Sequence, residues 1–142
     1  MNRSITRIGL CLFVTIAGCG GPSPVALPAG VQPTHNGAIV SLARGKGYVE
    51  LVVVPDNPKA TVKNAKGYLV AYFMNPEGGP ADPAPTEVSY APEGSGPVKL
   101  AAGTDKAAFK SEPGSLPVGR ELNGELNASF GGQAVKSPVA TR

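Results

Sequence analysis

The sequence predicts an all-β chain: an antiparallel β-sandwich of about seven short strands and immunoglobulin-like size. Three observations lead there. From His35 onward apolar residues recur with period two rather than 3.6. Glycine and proline interrupt the pattern at regular intervals. No later stretch carries the apolar stripe of an amphipathic helix. Short strands separated by turn signals pack as two sheets over one core. The chain has no Trp, and both of its cysteines lie in the first 19 residues. The Cys-Trp-Cys marks of true immunoglobulin domains are therefore missing, and only the architecture is implied. A small barrel is the alternative arrangement.

The elements follow in order. Ala38 to Leu42 is a short first strand, and Ala43-Arg44-Gly45-Lys46-Gly47 turns it into Tyr48 to Val54, which is rich in β-branched residues. Pro55-Asp56-Asn57-Pro58 ends that strand. Lys59 to Lys66 reads as a loop or an irregular strand around Val62. Gly67 to Met74 is apolar on both faces, with Tyr68, Val70, Tyr72 and Met74 on one and Leu69, Ala71 and Phe73 on the other. That marks a central strand, with Met74 expected in the core. Asn75 to Pro85 is a proline-rich surface loop containing Gly78-Gly79. Thr86 to Tyr90 alternates cleanly, Val98 to Ala101 is short, and Ala107 to Glu112 centres on Phe109. Ser111 to Gly119 reads as loop. In Glu121 to Phe130, Leu122, Leu126, Ala128 and Phe130 share one face. Gly131-Gly132 supplies the positive φ angles of a tight hairpin turn into Gln133 to Val139.

Ahead of these strands lies a different kind of sequence. Arg3 and Arg7 precede an apolar run from Ile8 to Ala17, the charged and hydrophobic regions of an export signal. The run is too short to span a bilayer, which takes roughly 18 or more residues. Ile16-Ala17-Gly18-Cys19 resembles the lipobox of bacterial lipoproteins. The resemblance covers the first 21 residues and implies that residues 1–18 are a signal-peptide helix, cut before Cys19. It implies that the Cys19 thiol carries diacylglycerol and its amine an N-acyl chain such as palmitate, which anchors the protein in the membrane of the cell envelope. Several chains on one cysteine hold far more firmly than one, because each buried CH₂ contributes about 0.8 kcal/mol. Gly20, rather than the Asp linked to inner-membrane retention in some bacteria, favours the outer membrane. Residues 19–34 then form the lipidated cysteine and a flexible Pro/Gly-rich linker of up to roughly 40 Å, and residues 35–142 the β-domain.

Composition narrows the function. Without Arg3 and Arg7, 11 Lys+Arg face 10 Asp+Glu, so no basic patch able to neutralise several phosphates remains and nucleic acid is not an expected partner. Lys59, Lys63 and Lys66 read as a solvated loop. With Cys11 in the signal and Cys19 acylated, no thiol is left for a disulfide or a nucleophile. His35 is the one histidine, no serine lies in a G-x-S-x-G context, and Gly45-Lys46-Gly47 lacks the spacing of a phosphate loop. Glu121 and Glu125 share a strand face about 13 Å apart, beyond glycosidase carboxylate separations of roughly 5–9.5 Å. No catalytic residue is expected, and no cofactor beyond the lipid on Cys19. The expectation is a non-catalytic binding or structural module, facing a protein or other envelope partner. The alternative is copper handling: His35 and Met74, with a loop carboxylate such as Asp82, offer the imidazole and thioether that suit Cu(I). Against it, His35 beside Asn36-Gly37 reads as a turn residue.

Overall fold

The computed structural model describes residues 27–59, 65–105 and 107–141. The lipobox-like segment and Cys19 lie outside these residues. The described chain is all-β and antiparallel, as predicted, and contains no α-helix. Its strands are β1 (Ala38–Ser41), β2 (Tyr48–Pro55), β3 (Lys66–Met74), β4 (Glu87–Pro92), β5 (Val98–Ala102), β6 (Ala108–Ser111), β7 (Leu116–Pro117), β8 (Asn123–Phe130) and β9 (Gln133–Ala140). They form one sheet in the order β1-β2-β3-β6-β5-β4-β8-β9, with β7 pairing the start of β3.

That order explains the shape. Two meanders, β1-β2-β3 and β4-β5-β6, join where β6 returns to β3 (Ala71 opposite Phe109), and the β8–β9 hairpin extends the far side of β4. The sheet curls until its ends meet: the backbone N–H of Ala43, just after β1, donates to the buried Ser137 Oγ of β9 at 2.9 Å. The result is a nearly closed, barrel-like body, which a sandwich describes only roughly.

The core follows from the alternation along each strand. Val49 and Leu51 of β2, Leu69, Ala71 and Phe73 of β3, and Phe109 of β6 face inward from one wall. Val88, Tyr90, Leu100, Leu126, Ala128, Phe130, Val135 and Val139 face them from the other. Phe73 meets Phe109 and Phe130 edge-on, with ring centroids 5.6 and 6.0 Å apart. Such pairs add about 0.5–1.5 kcal/mol each beyond the area they bury. Polar groups in this interior are paired. Ser111 Oγ accepts the Leu69 N–H at 2.8 Å, and the Tyr90 hydroxyl donates to the Asn123 carbonyl at 3.0 Å. Burial raises the Tyr90 pKa.

The hairpin turn is as expected. Gly131 and Gly132 take φ of 56° and 80°, the signs a two-residue turn with right-handed strand twist requires. Two expectations change. Ser111 to Gly119, read as loop, contributes β7, too short to leave a periodic trace. Residues 27–34, read as linker, begin the body: Val31 is only 3% exposed, and Gly30 abuts the Glu77–Gly78 turn. Val31 is the one buried position between residues 27 and 34, and one buried position leaves no pattern to read, so packing of this stretch was invisible in the sequence.

Candidate functional site

The outer face of β2 holds an acid where the sequence offers only Val and Tyr on either side. Glu50 lies opposite Tyr72 of β3 and is 0% exposed. A carboxylate in such a place needs partners, since burying an unpaired charge is prohibitively costly. The segment Thr34–Gly37, a strap laid across the strands ahead of β1, supplies them. Oε1 accepts the N–H of His35 and of Gly37, both at 2.8 Å. Oε2 accepts the Thr34 N–H at 3.0 Å and its hydroxyl at 3.2 Å, and lies 3.1 Å from His35 Nδ1. Asn36 takes φ 57°, which aims the two flanking N–H groups at one carboxylate. Gly37 permits the approach: a Cβ there would lie 2.6 Å from the Leu51 carbonyl oxygen and 2.8 Å from Glu50 Cγ.

Electrostatics fix the protons. Burial alone raises the pKa of Glu50, but hydrogen bonds from the Gly37 N–H, the His35 ring and the N–H groups of His35 and Thr34 outweigh it. They hold the carboxyl below its ordinary value. The ionised group only accepts, so His35 Nδ1 carries a proton toward it. Nε2 has no hydrogen-bond partner among the described residues. The ring is also held in plane, stacked on Tyr72 at 3.7 Å between centroids and 5° between planes. A carboxylate that fixes tautomer and orientation from behind is how proteins prepare an imidazole to meet something at its other nitrogen. The His35 side chain keeps 44% of its surface exposed to meet it.

Beside the ring opens a cavity of about 760 Å³. Its walls are Thr34–His35 of the strap, Tyr72–Met74 at the end of β3, the loop from Gly78 to Ala84, and the turn from Thr104 to Ala108 before β6. This is within the roughly 300–1,000 Å³ typical of small-molecule sites. A smaller depression of about 370 Å³ on the β4–β5–β8 wall has only surface Glu87 and Lys99 as charged groups and no prepared side chain.

The structure brings the three sequence candidates His35, Met74 and Asp82 around this one cavity. Met74 is buried, at 7% exposed, but stands apart from the central core in which it was expected, because the β3 face that carries it points outward. His35 sits in a bend, as expected, and is also a wall of the cavity. Among the described residues no three His, Cys, Asp or Glu side chains cluster as a metal site. The expected surface lysines Lys59 and Lys66 are exposed, and Glu125 pairs at the surface with Lys136 at 3.6 Å. Sequence reasoning missed Glu50, Tyr72 as a stacking platform, and Asp105. The available signal was Glu50 itself, a lone acid in Tyr-Val-Glu-Leu-Val-Val-Val. No family model matches the chain, and no curated protein or solved structure matches it either.

Proposed function

We propose that this chain is a lipid-anchored lipoprotein of the bacterial cell envelope whose barrel-like body is a non-catalytic binding module. The cavity beside His35 is its binding site. The anchor rests on the lipobox-like Ile16-Ala17-Gly18-Cys19. The binding role is carried by one observation: an imidazole oriented by a buried carboxylate and an aromatic ring, with its free nitrogen at the edge of a ligand-sized cavity. Preparing a group in this way reduces the ordering cost of binding. A hydrolytic role would want a nucleophile at that nitrogen, whereas the described lining offers Thr34 and Thr104 but no Ser, Cys or Lys.

The test is intact mass and membrane fractionation of wild type beside Cys19→Ser. The wild type is expected in the membrane fraction, beginning at Cys19 and carrying diacylglyceryl and acyl mass, while the variant loses both. A native polypeptide that begins elsewhere, or begins at Cys19 with a bare thiol and stays in solution, overturns the anchor. A second reading, copper handling through His35 and Met74, is favoured by their shared cavity with Asp82. Unchanged Cu(I) affinity in a His35→Ala, Met74→Leu double variant removes it.

A further inference from the structure

The chemistry of the cavity walls selects among ligands. Its apolar surface comes from Tyr72, Met74, Pro80, Ala81, Ala84 and Ala107. Besides the hydroxyls of Thr34, Tyr72 and Thr104, which can donate or accept, its polar side chains are those of His35, Asp82 and Asp105. With Nδ1 committed to Glu50, the neutral form of the His35 ring presents the lone pair of Nε2. Asp82 and Asp105 stand exposed at the rim, and neither carboxylate has a salt-bridge or hydrogen-bond partner among the described residues. Behind the ring lies the ionised Glu50. Apart from His35, the charged side chains of the described lining are both acidic, Asp82 and Asp105, and an anion would have to face them. An anionic ligand meets repulsion at the rim and no donor at Nε2. A purely apolar one leaves that nitrogen dewatered and unpaired, at a cost of about 1–3 kcal/mol.

We infer that the cavity binds a small organic cation with an apolar body: a primary or secondary ammonium on an aryl or branched alkyl group. Its N–H donates to Nε2 of His35, its charge is met by Asp82 and Asp105, and its hydrocarbon lies against Met74 and the alanine-proline wall. Tyr72 and the Met74 thioether are polarisable surfaces that such a cation favours. This inference rests on the reading of the cavity as a binding site and adds the class of ligand.

The experiment compares three probes of one shape on the full-length protein in detergent micelles: phenethylamine, the neutral 2-phenylethanol and the anionic 3-phenylpropionate. Binding is followed by NMR at the Met74 methyl, the His35 ring and Tyr72. The amine is expected to move these resonances with at least tenfold higher affinity than the alcohol, and the acid to leave them in place. The preference is expected to fall about tenfold in an Asp82→Asn, Asp105→Asn double variant and to weaken as salt shortens the reach of the rim charges. Both residues are exposed, so the exchange leaves the body folded. Equal affinity for amine and alcohol, or preference for the acid, overturns the cationic class while leaving the cavity a binding site. If none of the three moves the cavity resonances, the binding-site reading fails with it.

Discussion

Replacing Glu50 by glutamine asks whether one carboxylate fastens the strap that forms the wall of the cavity. Five hydrogen bonds converge on it in the wild type. Glutamine keeps a single oxygen, enough for the N–H groups of His35 and Gly37. Its amide nitrogen then faces the Thr34 N–H and the His35 Nδ1–H, donor against donor. Hydrogen bonds to a charged acceptor contribute about 1.5–3 kcal/mol each. The Thr34 hydroxyl can rotate to accept from the amide, and the two bonds lost sum to less than that implies, because Thr34 and His35 are exposed and their freed groups can turn to water. The expected cost is about 2–4 kcal/mol on closure of the strap. At about 1.4 kcal/mol per tenfold, amide exchange at His35 and Gly37 should quicken roughly 30- to 700-fold. Amides of β8 and β9, far along the sheet, should change little. Hydrogen exchange followed residue by residue reads both. Protection at His35 and Gly37 within threefold of wild type would refute the carboxylate as the fastening.

Acid should reproduce part of the same change. Glu50 has its pKa lowered in the folded state, so its contribution is fully present above the unfolded value, about 4.3 for a glutamate, and is lost as pH falls through the folded one. The stability gap between wild type and Glu50→Gln, measured by urea unfolding, should hold from pH 8 to 5 and close on further acidification; a gap that persists unchanged to pH 2 contradicts the assignment. Ser137→Ala should cost about 1–3 kcal/mol by leaving the Ala43 N–H without its acceptor, seen as a lower unfolding midpoint with an unchanged denaturant slope. An unaltered midpoint would mean that water or a neighbour replaces the hydroxyl without loss.

Much of the body was legible because period-two alternation is a direct imprint of the strand. Val88 and Tyr90, and Leu122, Leu126, Ala128 and Phe130, are buried as their spacing required. Alternation sorts residues into two faces but does not say which face is inward. In β3 both halves are apolar, and only the packing of Phe73 on Phe109 and Phe130 decides that Leu69, Ala71 and Phe73 point in. Met74 and Tyr72 were thereby released to the cavity. The site itself was half visible. His35, Met74 and Asp82 drew notice by residue type, whereas Glu50 looked like one acid among valines. Its meaning depends on a strap 13 to 16 residues upstream in sequence, a distance that no local pattern records.

The seam between Ala43 and Ser137 joins positions 94 residues apart. A ring completed by its final hairpin cannot be sealed from its first half: until β9 arrives, Val135 and Val139 are missing from the core and the Ala43 N–H lacks its acceptor. Loop closure over such a span is entropically expensive and comes late. A nascent copy therefore keeps this seam open until its last hairpin is made.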